Sequence, residues 1–136
     1  MMNATLFIKL YLITIPVFFA IDIVWLAVIS KGFYREQLGY IMSESVKWPA
    51  ALLFYLLYIG GLVLFAVMPA VEKQSLLRAL VMGAALGLVA YATYDLTNYA
   101  TIRDWPLVVV IVDLIWGTIL SAGVSAIASL VALRWL

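Results

Sequence analysis

The chain contains no cysteine and no histidine. Their absence removes disulfides, thiolate chemistry, imidazole-ligated haem, the common zinc sites and histidine-rich di-iron centres. A metal bound here would have to be held by oxygen. Charge is scarce as well: eight basic and seven acidic residues in 136 leave a net charge of +1. The basic residues are scattered, so they assemble no phosphate-binding surface and nucleic acid is excluded as a partner. What remains is apolar. Hydrophobic residues make up 68% of the chain, a composition far outside the range of soluble domains and proper to a bilayer. The first apolar run follows Lys9 but carries Asp22 and lacks a short apolar region ending in a small-residue cleavage site, so it is expected to be a retained span rather than a secretory signal.

Four stretches, at about residues 10–30, 49–68, 79–99 and 106–133, are long enough to cross a hydrocarbon core, which takes about 20 residues of helix. Each is continuously apolar, whereas barrel strands alternate, so the expected fold is an all-α integral membrane protein. Residues 1–136 form a single four-span domain, an antiparallel bundle of two hairpins. "KWPA" and "DWPL" open the second and fourth spans, with Pro49 and Pro106 at the first helical position and Trp48 and Trp105 at the interface. Pro16 is expected to bend the first span and Pro69 to close the second. Four spans put both termini on one side together with "PAVEKQSLLR"; "KGFYREQLGYIMSESVK" and "ATIRDW" fall on the other. Lys9, Lys73, Arg78 and Arg134 face Lys31, Arg35, Lys47 and Arg103 across the bilayer, a tie under the positive-inside rule. The free amino terminus tips the expectation towards cytoplasmic termini.

Against this background "IDIVWLAVI", from Ile21, and "VDLIWGTIL", from Val112, each set an aspartate three residues before a tryptophan. Because alternate spans reverse direction, Asp22, Asp95 and Asp113 fall at one level, roughly 6 to 12 Å below the same membrane face at helical rise. A carboxylate in a span costs about 2.5 to 3.5 kcal/mol on insertion scales, so all three are expected to face inward. Gly83, Gly87, Tyr91, Tyr94, Asp95 and Asn98 share one face of the third span, and Asp113, Gly117, Ser121 and Val124 form a narrow stripe on the fourth. The glycines are read as packing. The polar layer has two readings: a network in which Trp25 or Trp116 donates to the aspartate of the other helix and fixes register, or a site that binds or moves something. Arg103, eight residues after Asp95, is placed to swing over the layer. In the long loop, "FYREQLGYIM" suits a short amphipathic helix that caps it.

At "FYREQLGYIM", "FYLLYIGGLVLF", "YATYDLTNYATIRDWPL" and "VDLIWGT" the chain resembles a family of bacterial membrane proteins catalogued as domain of unknown function 2177, over nearly its whole length. The resemblance implies a compact four-span protein of the bacterial inner membrane, with Asp22, Asp95, Thr97, Asn98, Trp105, Pro106, Asp113 and Trp116 as its distinctive polar and aromatic positions. It carries no activity with it.

Three functions compete. In the first, an amphipathic or cationic ligand stacks on Trp25, Trp116 and the tyrosines and pairs with a carboxylate, and proton exchange at Asp95 or Asp113 supplies coupling. The candidate residues are Asp22, Asp95, Asp113, Asn98, Tyr91, Trp25, Trp116 and Arg103. In the second, a lipid-modifying enzyme holds Mg²⁺ with the aspartates and Asn98. Paired aspartates on one helix are missing, as is any nucleophile with its base, so enzyme chemistry ranks lower and no cofactor is expected outside this alternative. In the third, an accessory subunit docks on a larger membrane complex through Tyr55, Tyr58, Gly60 and Gly61. Membrane lipids, a second copy of the chain and a larger complex are the partners these readings imply.

Overall fold

The computed structural model describes residues 3–136. Among them there are five helices and no strand. α1 runs Ala4–Ile29, α2 Phe33–Leu38, α3 Trp48–Glu72, α4 Leu76–Thr101 and α5 Leu107–Trp135. All but the short α2 are long and apolar enough to cross a membrane. The expected bundle is present, and its helices overrun the expected spans. α1 begins earlier because the Asn3 side chain accepts from the Thr5 and Leu6 backbone N–H groups and caps the end. Ser75 caps α4 in the same way, accepting from Arg78 N.

Pro69 does not close the second span; α3 continues to Glu72. The reason lies one turn earlier, where Val63–Val67 widens into a π-turn and Met68 N–H bonds to the Val63 carbonyl. The ring of a helical proline collides with the carbonyl four residues back, and a widened turn at that place makes room for it. A second π-turn, Trp25–Ile29, ends α1, with Ser30 N–H bonded to Trp25 O at 2.8 Å. Pro106 precedes α5 as its cap instead of occupying the first helical position. Trp48 is exposed as an interfacial residue should be, but Trp105 is not: it is buried with Leu38, Val109 and Val110, edge-on to Tyr94.

α1 lies antiparallel to α5. Leu10 shares a buried cluster with Ala128 and Ala132, Phe18 one with Leu120 and Val124, and Trp25 stacks on Trp116. α4 and α5 meet over glycine. A Cβ at Gly83 would stand 2.6 Å from the Ser121 carbonyl, one at Gly87 would run into the Gly117 carbonyl, and one at Gly117 would run into the Tyr91 ring. The glycines therefore act as packing, letting two backbones approach closely where lipid offers no hydrophobic drive for association. α3 packs on this core through its π-turn half, where Leu62, Val63, Ala66 and Val67 are fully buried. Its first half stands away, with Trp48, Leu52, Leu53, Phe54 and Leu57 exposed.

Candidate functional site

Each aspartate sits six or seven residues inside its helix, counted from Ile29, Thr101 and Leu107. At about 1.5 Å per residue all three lie about 9 to 11 Å from the same ends of the bundle. None is turned to lipid: Asp95 is fully buried, and Asp22 and Asp113 are 7% and 6% exposed.

Asp22 and Asp113 line one cavity of about 320 Å³. Trp25 and Trp116 form one wall, their rings stacked at 4.4 Å with 10° between planes. Tyr34, Tyr55, Tyr91 and Tyr94 complete the polar lining. No lysine or arginine is among the lining residues. The paired "D-x-x-W" segments thus serve one another. Trp25 donates through Nε1 to the Tyr34 hydroxyl at 3.2 Å, and Tyr34 donates to Asp113 Oδ1 at 2.6 Å. The indole of α1 therefore reaches the carboxylate of α5 through a residue of α2. The Trp116 indole lies beside Asp22 with no partner at hydrogen-bonding geometry, and Asp22 Oδ2 accepts instead from Tyr55 at 3.3 Å. Burial, followed by the bond to Asp113 and its charge, pushes the Tyr34 hydroxyl well above its ordinary value, so it stays a donor.

Asp95 stands apart. It lines neither this cavity nor its neighbour, and both its oxygens are buried without a hydrogen-bond partner. Its neighbours are the Asp113 carboxyl and the Trp105 indole, whose N–H is likewise buried and unpartnered. An unpartnered acceptor and an unpartnered donor are thus neighbours.

Of the residues singled out from sequence, Asp22, Asp113, Trp25, Trp116 and Tyr91 come together at the cavity, with Asp95 behind it. Asn98 and Arg103 do not join them. Asn98 is half-buried outside the lining; Arg103 is exposed, and its carbonyl accepts from Tyr40 at 3.2 Å. Tyr34 and Tyr55 carry more of the site than the sequence assigned to them. The expected capping helix is α2, which delivers Tyr34. Tyr55 and Tyr58 do not form an outward docking face: Tyr55 bonds to Asp22, and Tyr58 is buried with its hydroxyl 2.5 Å from Ser121 Oγ. Among the described residues no group of three or more Asp or Glu side chains gathers closely enough to hold a metal.

No curated protein and no solved structure matches the chain. A family model does, over residues 7–130. The chain belongs to the family described as "Predicted membrane protein (DUF2177)".

Proposed function

We propose that this membrane protein binds, and by exchange of protons transports, a small amphipathic or cationic ligand in the chamber between Asp22 and Asp113. One observation carries the reading: two carboxylates and a stacked indole pair line a space of ligand size with no basic side chain among them. Carboxylates that cost several kcal/mol to insert are retained where they face a cavity and meet a charge, and aromatic faces add attraction for a cation. Asp95, without partners and next to Asp113, is the group to which a proton would pass when the ligand takes Asp113. Such a protein would sit in the bacterial inner membrane with its termini in the cytoplasm.

The test is binding of butylammonium to the protein in nanodiscs, read by tryptophan fluorescence with Trp25→Phe as the control for the reporting pair. Asp113→Asn and Asp22→Asn should each weaken binding at least tenfold. Equal binding of uncharged butanol, or no loss in either variant, would overturn the proposal.

A further inference from the structure

The chamber between the aspartates has an annex. A second space of about 290 Å³ is lined by Phe54, Ala90, Tyr91, Tyr94 and Asp113. It shares Phe54, Tyr91, Tyr94 and Asp113 with the first, so the Asp113 carboxylate stands at the junction of a polar compartment and an almost wholly apolar one.

Two routes lead to this junction, and the fold treats them differently. From the nearer aqueous face the way is crossed by α2. Tyr34 is bonded to Asp113, and Leu38 is buried against Trp105, Val109 and Val110. Gly32, at φ +82°, turns the chain into that helix in a conformation other residues resist. From the side, the first half of α3 leaves the core. Phe54 and Tyr94, which line both compartments, are 52% and 55% exposed at a depth where the surroundings are hydrocarbon. The polar chamber is crossed by α2 on its aqueous side and flanked by exposed apolar and aromatic side chains on its lipid side.

We infer that the ligand is a single-chain amphiphile with a primary ammonium head, which reaches the site sideways from the membrane between α3 and α4. The head lies between Asp22 and Asp113. The chain runs over Ala90 between Phe54 and Tyr94 and out into the bilayer. A cation is called for by the two carboxylates, an apolar chain by the annex and by a lateral entrance that a freely water-soluble ion would not use. A single chain is called for by size, since the annex is at the small end of ligand pockets. This rests on the function proposed above and adds the head, the chain and the route.

The experiment compares decylammonium, butylammonium and decanol on the protein in zwitterionic nanodiscs, with affinities referred to the concentration in the bilayer measured in empty discs. Decylammonium should bind at least tenfold more tightly than butylammonium on that scale, and at least tenfold more tightly than decanol. Ala90→Phe, which fills the annex, should cut the decyl-to-butyl ratio at least fivefold; Phe54→Ala, which removes a wall without adding bulk, should lower it too. Equal affinity for the two amines, or a ratio unmoved in both variants, overturns the inference and leaves the proposed function standing. Decanol binding as tightly as decylammonium overturns the ammonium head. Binding of neither amine sinks both proposals.

Discussion

At the end of the bundle that carries the termini, Leu10, Val63, Val67 and Ala128 are fully buried and the helices close on one another. At the aspartate end α3 leans away, and buried positions are held by Asp22, Asp95 and Asp113. Both ends are made from the same helices, so the contrast comes from side chains at the seams. In the closed half, small residues let α4 and α5 approach until a single added carbon would strike backbone. In the open half, the Tyr91 ring lies on Gly117 and forms part of a cavity wall. In lipid the first device supplies association, because dispersion and close approach are the main forces available. The second uses that stability to keep charged groups inside.

The largest expected effect breaks the closed half. Gly87→Val should destabilise the bundle by about 3 kcal/mol, since its side chain meets the Gly117 carbonyl and backbone cannot swing aside; equilibrium unfolding in detergent measures it, and wild-type stability would show that the seam is not tight. The open half should answer differently. Asp113→Asn is expected to weaken amine binding by about 1.4 kcal/mol or more, a factor of ten, while unfolding shifts by less than about 1 kcal/mol, because an amide still accepts from Tyr34.

Asp95→Asn sharpens the distinction within the layer. The variant should stay folded and gain about 1 kcal/mol, because its amide can donate to Asp113 where the acid now has no partner. It should also weaken amine binding less than Asp113→Asn does, since Asp95 lines neither compartment. A larger binding loss at Asp95 than at Asp113 would move the ligand. Tyr34→Phe removes the link between α2 and α5 and should cost about 1 kcal/mol, with faster amide exchange confined to α2. Its pH signature follows from the raised hydroxyl. A group whose folded pKa lies above its unfolded value contributes stability below the unfolded value and loses it above. The stability difference between wild type and variant should therefore hold steady up to about pH 10 and shrink beyond it. Smallest of all, Gly61→Ala, with nothing within 4 Å of the added carbon, should leave binding unchanged and stabilise α3 by about 0.5 kcal/mol.

Hydropathy and chain reversal made the membrane bundle, the depth of the aspartates and the packing of α4 on α5 legible in the sequence, because each depends only on length, burial cost and residue size. The aromatic run at Phe33 and Tyr34 announced a helix over the layer. What escaped depends on backbone irregularity and on long reach. Tyr55 and Tyr58 were assigned to a docking face with Gly60 and Gly61 because their helix is uncharged, and their partners, Asp22 and Ser121, are far off in sequence. Pro69 was read as a stop because the π-turn at Val63–Val67, which accommodates its ring, leaves no mark in composition. Trp105 was placed at the interface by its neighbour Pro106, and a contact with α2, far off in sequence, buries it. Arg103 was brought over the layer by proximity in sequence, but the turn after α4 points it to solvent.

The π-turns also set the rotation of one part of a helix against the next. A π-turn carries one residue more than the α-helical turn it replaces, absorbed as a local bulge. Its effect is angular: one residue is worth about 100° of rotation. Removing a residue from Val63–Val67 would therefore turn the Tyr55–Tyr58 half of α3 by roughly that angle against the half held at Met68 and Ala70, swinging the Tyr55 hydroxyl off Asp22.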